Sequence, residues 1–454
     1  MALWGCRSQA PAGSSPRAGS AQAGKEATGP SGRHTGFAIR VSATGGVPKL
    51  YRLPNLAEWS TPLRGQLPAV DRVVGVDPEA SALFVRTAKR ALLALDLESG
   101  RIDTVAADVQ LAALGPDGTL YVVDRNRRVT TLARRVHLRW PHPLEGDPRE
   151  LFGAANERLL AMVAGDRPTI LAAAADQPVS TRTLPADGDV TASRWGDLIA
   201  VASDSGVTLL DPLGQRRPAF VPIADHPRAL VFSPSGHRVY VGSRSGLGLA
   251  VIDRYALRQI DGVALPTPVA ALRLDPFGRW LLARPPVGDT AWVVDLTIKR
   301  FVGALTTGWQ NDLPDVSPDG SLLLRQGADV LAMRPDSLVE TGRVAGGAED
   351  LWVTTDWSPR GALPSREASA DASAGDSVGA EGPLYVQVSV SRNQGWSEQM
   401  AEQLSRAGLA AKVLPPANAD EGFRVVLGPY GTRAQAEAIG KKLGRPYWIY
   451  APGQ

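Results

Sequence analysis

The chain of 454 residues contains 44% hydrophobic and 21% charged residues, so it can bury more than one apolar core. A formal net charge of +3 and the lack of a basic stripe interleaved with aromatic residues argue against a nucleic-acid partner. The single cysteine, Cys6, excludes a disulfide within the chain. The sequence contains no run of about 18 apolar residues, so no transmembrane helix is expected.

Residues 1–36 contain Leu3-Trp4-Gly5-Cys6 near their start, followed by a stretch rich in alanine, glycine, serine and proline. The first part resembles a bacterial lipobox, which makes Cys6 the candidate lipidation site, and the second part is typical of a disordered tether. Only five residues precede Cys6, whereas a signal peptide needs a basic start and an apolar stretch of roughly 7–15 residues. Two alternatives stay open: a start upstream of Met1, which would allow lipidation, or an incidental cysteine.

A turn motif recurs about every 40 residues between positions 67 and 361. An apolar strand enters each turn, a second strand leaves it, and a third strand follows that often ends in an aspartate, which we expect to cap a turn. Two degenerate copies, at 155–158 and 194–197, bring the number of units to seven. The five clear copies begin at Asp77, Gly115, Ser233, Asp275 and Ser317.

Four short strands in every 40 or so residues are the signature of a β-propeller blade. The units resemble bacterial YVTN/WD40-like repeats, to which the segment Val239-Tyr240-Val241-Gly242-Ser243 is the closest copy. Residues 37–357 are therefore predicted to form an all-β propeller of seven blades, with eight possible because a partial copy lies at 351–361. We expect strands near 37–41 and 49–53 to join the strand at Leu351, because ring closure hides strand edges.

Patterns that carry catalysis or metal binding are missing from the sequence. The five histidines are scattered without metal-ligand spacing, and there is no nucleophile elbow, zinc-protease motif or phosphate loop. We therefore expect no enzyme activity, no catalytic residue, no metal and no cofactor.

A linker rich in alanine, serine, glycine and aspartate is predicted at 358–382, and it separates the propeller from a C-terminal module at 383–454. The module has a βαββαβ pattern. Its predicted elements are strands at 384–390, 409–414, 423–427 and 447–450 and helices at 396–407 and 433–443.

Three stretches of this module carry a family resemblance. Tyr385-Val386-Gln387-Val388 opens the first strand, Arg424-Val425 runs into Gly428-Pro429-Tyr430, and alanines punctuate the second helix. On these residues the module resembles the SPOR family along its whole length. The sequence departs from the family at 389–393, where Ser-Val-Ser-Arg-Asn replaces the usual Gly-Ser/Ala-Phe segment, so the edge of any glycan groove is expected to differ.

The resemblance implies a small α+β fold of the RNA-binding-domain type, with a four-stranded antiparallel sheet and two helices on one face. The opposite face, called the open face below, is implied to bind peptidoglycan glycan strands that lack stem peptides. Strand alternation directs Val386, Val388 and Val390 towards the helices. The candidate peptidoglycan-binding residues are those expected on the open face: Tyr385, Gln387, Ser389, Arg424, Tyr447 and Trp448.

The chemistry of these candidates suits a sugar. Aromatic rings can stack on a pyranose, while amide and hydroxyl groups reach hydroxyl and N-acetyl groups. Two alternatives stay open: Gln387 ties its strand to a neighbouring loop, and both Tyr447 and Trp448 fill the core.

The sequence thus predicts a non-enzymatic protein on the periplasmic side of the cell envelope, enriched at the division septum, that binds peptidoglycan. The propeller would be a scaffold for an unknown protein partner, and membrane contact would run only through a lipid anchor. The alternative is a wall-modifying enzyme with its active site in the propeller. An RNA-binding protein is disfavoured, because the aromatic positions of the RNA-binding strand motif are missing.

Overall fold

The computed structural model describes residues 36–359 and 384–450 with internal gaps. The candidate lipidation site Cys6, the tether and all but two residues of the linker lie outside the described residues. The gaps are 134–135, 141–142, 145, 155–157, 165–168, 175–179, 184–188, 195, 213–216, 392–396, 399, 402–403, 406–408, 416–422 and 444–446.

The described part of residues 36–359 forms eight four-stranded antiparallel sheets, numbered 1 to 8 here. Four consecutive strands build each of sheets 2 to 8. Sheet 2 contains β4 (Val70–Asp77), β5 (Ala82–Thr87), β6 (Leu92–Asp96) and β7 (Ile102–Ala106). Sheet 3 contains β8 (Val109–Leu114), β9 (Leu120–Asp124), β10 (Val129–Ala133) and β11 (Val136–Arg139). Sheet 4 contains β12 (Asp147–Gly153), β13 (Arg158–Ala164), β14 (Thr169–Ala174) and β15 (Ser180–Thr183).

The same order continues through the second half of this region. Sheet 5 contains β16 (Val190–Ala192), β17 (Ile199–Ser203), β18 (Gly206–Leu210) and β19 (Ala219–Pro222). Sheet 6 contains β20 (Pro227–Phe232), β21 (Arg238–Ser243), β22 (Leu249–Asp253) and β23 (Arg258–Val263). Sheet 7 contains β24 (Ala271–Leu274), β25 (Trp280–Arg284), β26 (Thr290–Asp295) and β27 (Arg300–Thr306). Sheet 8 contains β28 (Asp315–Val316), β29 (Leu322–Gln326), β30 (Asp329–Met333) and β31 (Glu340–Val344).

Sheet 1 is built from both ends of this region. It contains β1 (Phe37–Val41), β2 (Lys49–Arg52), β3 (Ala57–Glu58) and β32 (Leu351–Thr355), in the order β3-β2-β1-β32. β1 pairs antiparallel on both sides, so Ile39 lies opposite Leu50 on one side and Val353 on the other. The expectation that these three segments join is confirmed. There are eight sheets and only seven full repeats, because sheet 1 contains one strand of the partial repeat at 351–361 and three strands from the start of the region.

Apolar clusters connect neighbouring sheets around the series. One cluster is shared by sheets 1 and 2, and a further cluster is shared by each following pair up to sheets 7 and 8. The last cluster returns from sheet 8 to sheet 1, where Leu323 and Val330 pack with Ala38, Tyr51 and Trp352. Every sheet therefore buries apolar side chains against two neighbours, as a repeat architecture without exposed core faces requires.

The recurring aspartates cap turns, as the sequence indicates. Asp96 accepts backbone N–H groups of Glu98 and Ser99 at 3.0 and 2.8 Å, at the end of β6. Asp253 and Asp295 make the same kind of contact at the ends of β22 and β26. The side-chain oxygens satisfy backbone donors that the strands no longer pair, which explains why aspartate recurs there.

An ion pair joins sheets 5 and 6. Arg254 lies after β22 with only 6% of its side chain exposed, and its guanidinium donates to Asp197 at 2.6 Å. Burial alone would raise the pKa of the Asp197 carboxyl, but Arg254 and the hydroxyl of Ser193 outweigh it, so this pKa lies below its usual value of 3.8. A carboxyl with a lowered pKa stabilises the fold above its unfolded pKa, and this contribution is lost as the pH falls through the folded value.

We expect Asp197→Asn to lower the free energy of unfolding at pH 7 by about 1–2 kcal/mol, a modest value because the Asp197 side chain is 38% exposed. The difference from the unsubstituted protein should shrink as the pH falls through the lowered pKa of Asp197, where the wild-type carboxyl becomes protonated. Urea unfolding at several pH values measures it. Asp103→Asn, which removes an exposed pair with Arg101, is the control and should lower the free energy of unfolding at pH 7 by less than about 1 kcal/mol.

The C-terminal sheet contains β33 (Leu384–Ser391), β34 (Ala411–Leu414), β35 (Phe423–Tyr430) and β36 (Trp448–Tyr450), in the order β34-β35-β33-β36. All of its strand pairs are antiparallel. Two helices accompany it: α1, described at residues 397–398, 400–401 and 404–405, and α2 (Arg433–Lys442). The βαββαβ order predicted from the sequence is the order observed.

Candidate functional site

One side of the C-terminal sheet faces the helices. Val386, Val425 and Leu427 are fully buried there, in one cluster with Ala401 of α1 and Ala436 of α2. Strand alternation then assigns the residues between them to the open face, as the sequence predicts.

Two of the predicted residues meet on the open face. Nη1 of Arg424 donates a hydrogen bond of 2.9 Å to Oε1 of Gln387, and both side chains are partly exposed. Gln387 lies on β33 opposite Val426 of β35, so the bond runs diagonally between two neighbouring strands. The structure thus ties Gln387 to a strand rather than to a loop, and it fixes the amide with its oxygen towards a cation.

Tyr385 is covered by a lysine. Nζ of Lys412 lies 4.2 Å from the centroid of the Tyr385 ring and donates to its hydroxyl at 2.9 Å. Tyr385 is only 6% exposed. Its ring is therefore not the bare stacking surface that the sequence suggested, because a cation over an aromatic face is held by about 0.5–2 kcal/mol.

Lys412 is a residue that the sequence reading missed. Its neighbours Ala411 and Val413 both pack against the helix-facing cluster, so the residue between them belongs to the opposite side. The backbone register aligns Lys412 with Val426 and, through it, with Gln387. Alternation along the second predicted strand carried this signal.

Ser389 is placed differently from the sequence prediction. The pairing of β33 with β35 shifts between Gln387 and Ser389, leaving Val388 as an additional residue. After this bulge Ser389 lies opposite Val425, a member of the helix-facing cluster, and Val390 lies opposite Arg424. A bulge reverses the alternation that follows it, so the backbone register does not support the expectation of Ser389 on the open face, and the side chain of Val390 lies outside the described part of the structure.

The two aromatic candidates near the last strand separate. Tyr447 packs against the helix-facing cluster, and a Cβ added to Gly440 of α2 would lie 2.3 Å from its ring. Tyr447 therefore fills the core, whereas the alternative placed both Tyr447 and Trp448 there. The backbone of Trp448 pairs with Gln387 and places Trp448 on the row of the open face, while its side chain lies outside the described part of the structure.

The open face thus combines the amide of Gln387, the phenol hydroxyl of Tyr385 and the positive charges of Lys412 and Arg424. Such a set can donate hydrogen bonds to carbonyl and hydroxyl oxygens and can attract a carboxylate. Within the described ranges, no group of three histidine, cysteine or acidic residues is arranged to hold a metal ion.

Comparison with known proteins gives matches for the C-terminal module and for solved structures that cover about 70% of the chain. Residues 380–446 match the SPOR domain family. Dihydro-heme d1 dehydrogenase NirN, in complex with DHE, matches with 12% identity and a TM-score of 0.51, over 70% of this chain and 75% of its own. Apo AztD from Citrobacter koseri matches with 10% identity and a TM-score of 0.50, over 71% of this chain and 98% of its own. No curated protein sequence matches the chain.

These findings establish the coarse organisation. The chain carries a SPOR domain at its C-terminus, and the region before it has the fold of β-propeller proteins. A SPOR domain indicates binding to peptidoglycan and a place in the cell envelope. The described helices include none that is long and apolar enough to cross a membrane.

Proposed function

We propose that the protein binds peptidoglycan glycan strands without stem peptides, through the open face of its SPOR domain. The observation that carries the proposal is the SPOR match, in a domain whose open face holds the bonded pair Gln387–Arg424. The protein would lie on the periplasmic side of the envelope and be enriched at the division septum, where such strands accumulate. Where it is attached to a membrane, the attachment would be a lipid on Cys6.

The preceding region is proposed to be an eight-bladed propeller that acts as a scaffold for a protein partner, without enzymatic activity. Eight four-stranded sheets and the cluster that returns from sheet 8 to sheet 1 support the blade number. The absence of a catalytic constellation in the sequence supports a scaffold over a wall-modifying enzyme.

Sedimentation of the purified full chain with cell-wall sacculi tests the proposed ligand. Sacculi treated with an amidase, which removes stem peptides, should retain at least about tenfold more protein than untreated sacculi, because the binding sites are exposed glycan. Equal retention by both preparations contradicts the proposal. The same sacculi, embedded in a gel, should show no zone of clearing around the protein, and a clearing zone would favour the wall-modifying enzyme.

A further inference from the structure

Lys412 is a cation that the fold holds in place on the open face. Its ammonium group lies against the ring of Tyr385 and donates one of its three N–H groups to the phenol oxygen. Arg424, the other cation, already donates to the amide oxygen of Gln387. A lysine ordered in this way has lost much of its rotamer freedom before any ligand arrives, so pairing it with an anion costs less entropy.

The ligand of the proposed function changes charge when it is formed. In intact peptidoglycan the lactyl group of each N-acetylmuramic acid is joined to the stem peptide by an amide bond, which is neutral. Hydrolysis of that bond by water leaves the acyl carbon on the glycan as a carboxylate and releases the peptide with its amine. Stripped glycan therefore carries one free carboxylate per N-acetylmuramic acid, and glycan with peptides carries none at this position.

We infer that Lys412 recognises this free lactyl carboxylate and thereby distinguishes stripped glycan from glycan that still carries peptides. Tyr385 is the positioning residue, because its ring and hydroxyl hold the ammonium group on the open face. The inference rests on the proposed function and names the group of the ligand that is read. A charge-assisted hydrogen bond is about twice as strong as a neutral one, so the carboxylate is favoured over an amide in the same place.

The test compares the affinity of the full-length protein for two forms of stripped glycan. One form keeps its lactyl carboxylates, and in the other they are converted to neutral methylamides with a carbodiimide and methylamine. The unsubstituted protein should bind the carboxylate form about tenfold more tightly than the methylamide form, by isothermal titration calorimetry. This difference should decrease as the salt concentration rises, because salt screens exposed charges.

Substitutions connect the difference to the named residues. Lys412→Met should bind both forms with the same, weaker affinity, while Lys412→Arg should keep most of the preference. Tyr385→Phe retains the ring but removes the hydroxyl that accepts from Lys412, so the preference should become smaller without disappearing. Lys49→Met removes an exposed lysine paired with Glu58 far from the sheet in sequence, and should leave the preference unchanged.

The ratio of the two affinities separates the inference from the function on which it rests. Equal binding of both forms by the unsubstituted protein overturns the role of Lys412 and leaves the proposed function intact. Failure to bind either form overturns the proposed function itself. An unchanged preference in Lys412→Met overturns the assignment of the carboxylate to this residue.

Discussion

Asp312→Ala should lower the free energy of unfolding by about 3–5 kcal/mol, the cost of leaving a buried charge without its partner. Arg325 of β29 binds both oxygens of Asp312, at 2.9 and 2.8 Å, with 5% and 12% of the two side chains exposed. The substitution would therefore leave a guanidinium group inside the protein with no counter-charge at this position.

The same pair connects sheet 8 to the strand that completes sheet 1. Arg325 also donates to the backbone oxygens of Ala348 and Asp350, and the backbone N–H of Trp352 donates to Asp312 at 2.8 Å. These contacts fix the segment that leads into β32. Loss of Asp312 should consequently weaken the junction at which the two ends of the propeller region meet. It should also leave the buried charge of Arg325 without its partner.

Asp336→Ala is the matched control, since it also removes an aspartate bonded to an arginine. Its bond to Arg334 is 3.0 Å long, but the two side chains are 48% and 60% exposed, so the change should cost no more than about 1 kcal/mol. Urea unfolding followed by tryptophan fluorescence measures both variants. Equal losses of unfolding free energy in the two variants would show that the buried pair stabilises the protein no more than the exposed pair does.

The sequence predicted most of the propeller region because its repeats are local. Each of sheets 2 to 8 is formed by strands that follow one another, so an apolar strand and a turn at a regular spacing reveal it. The degenerate copy predicted at 155–158 falls between β12 and β13 along the chain, and its residues 155–157 lie outside the described residues. Sheet 1 joins strands about 300 residues apart, and such a pairing leaves only a fragment of the repeat in the sequence.

The candidate site was predictable only as far as strict alternation holds. Alternation correctly separates Val386 from Gln387, and it would have found Lys412 if it had been applied to the second strand. It fails at Ser389, because the bulge at Val388 depends on how β33 pairs with β35 and not on the local sequence. It also gives no information on the contact of Tyr385 with Lys412, which lies 27 residues away.

The position of Tyr447 could not be predicted from the sequence, for a physical reason. A strand that is apolar on both sides offers no alternation to read, so Tyr447 and Trp448 were equivalent from the sequence. Packing places Tyr447 in the core, since the small residue Gly440 of α2 leaves room for its ring.

Arg424→Leu should reduce binding to stripped glycan by roughly 10- to 100-fold, the range expected when a hydrogen bond to a charged group is lost. The guanidinium donates to the oxygen of Gln387, so the NH2 end of that amide is left to donate to a carbonyl or hydroxyl oxygen of the sugar. Without Arg424 the amide can rotate, and the open face also loses one positive charge. Binding of the full-length variant to amidase-treated sacculi measures the loss.

Arg343→Leu is the control for the change in net charge. Arg343 is also an arginine bound to neighbouring side chains, Asp329 at 2.9 Å and Glu340 at 2.7 Å, but it lies on sheet 8. Non-specific attraction between a basic protein and an anionic wall would weaken equally in both variants, because each loses one positive charge. Recognition on the open face predicts a large loss for Arg424→Leu and almost none for Arg343→Leu, at equal circular dichroism. Equal losses would mean that the wall is bound through overall charge, and the open face would then not be the binding site.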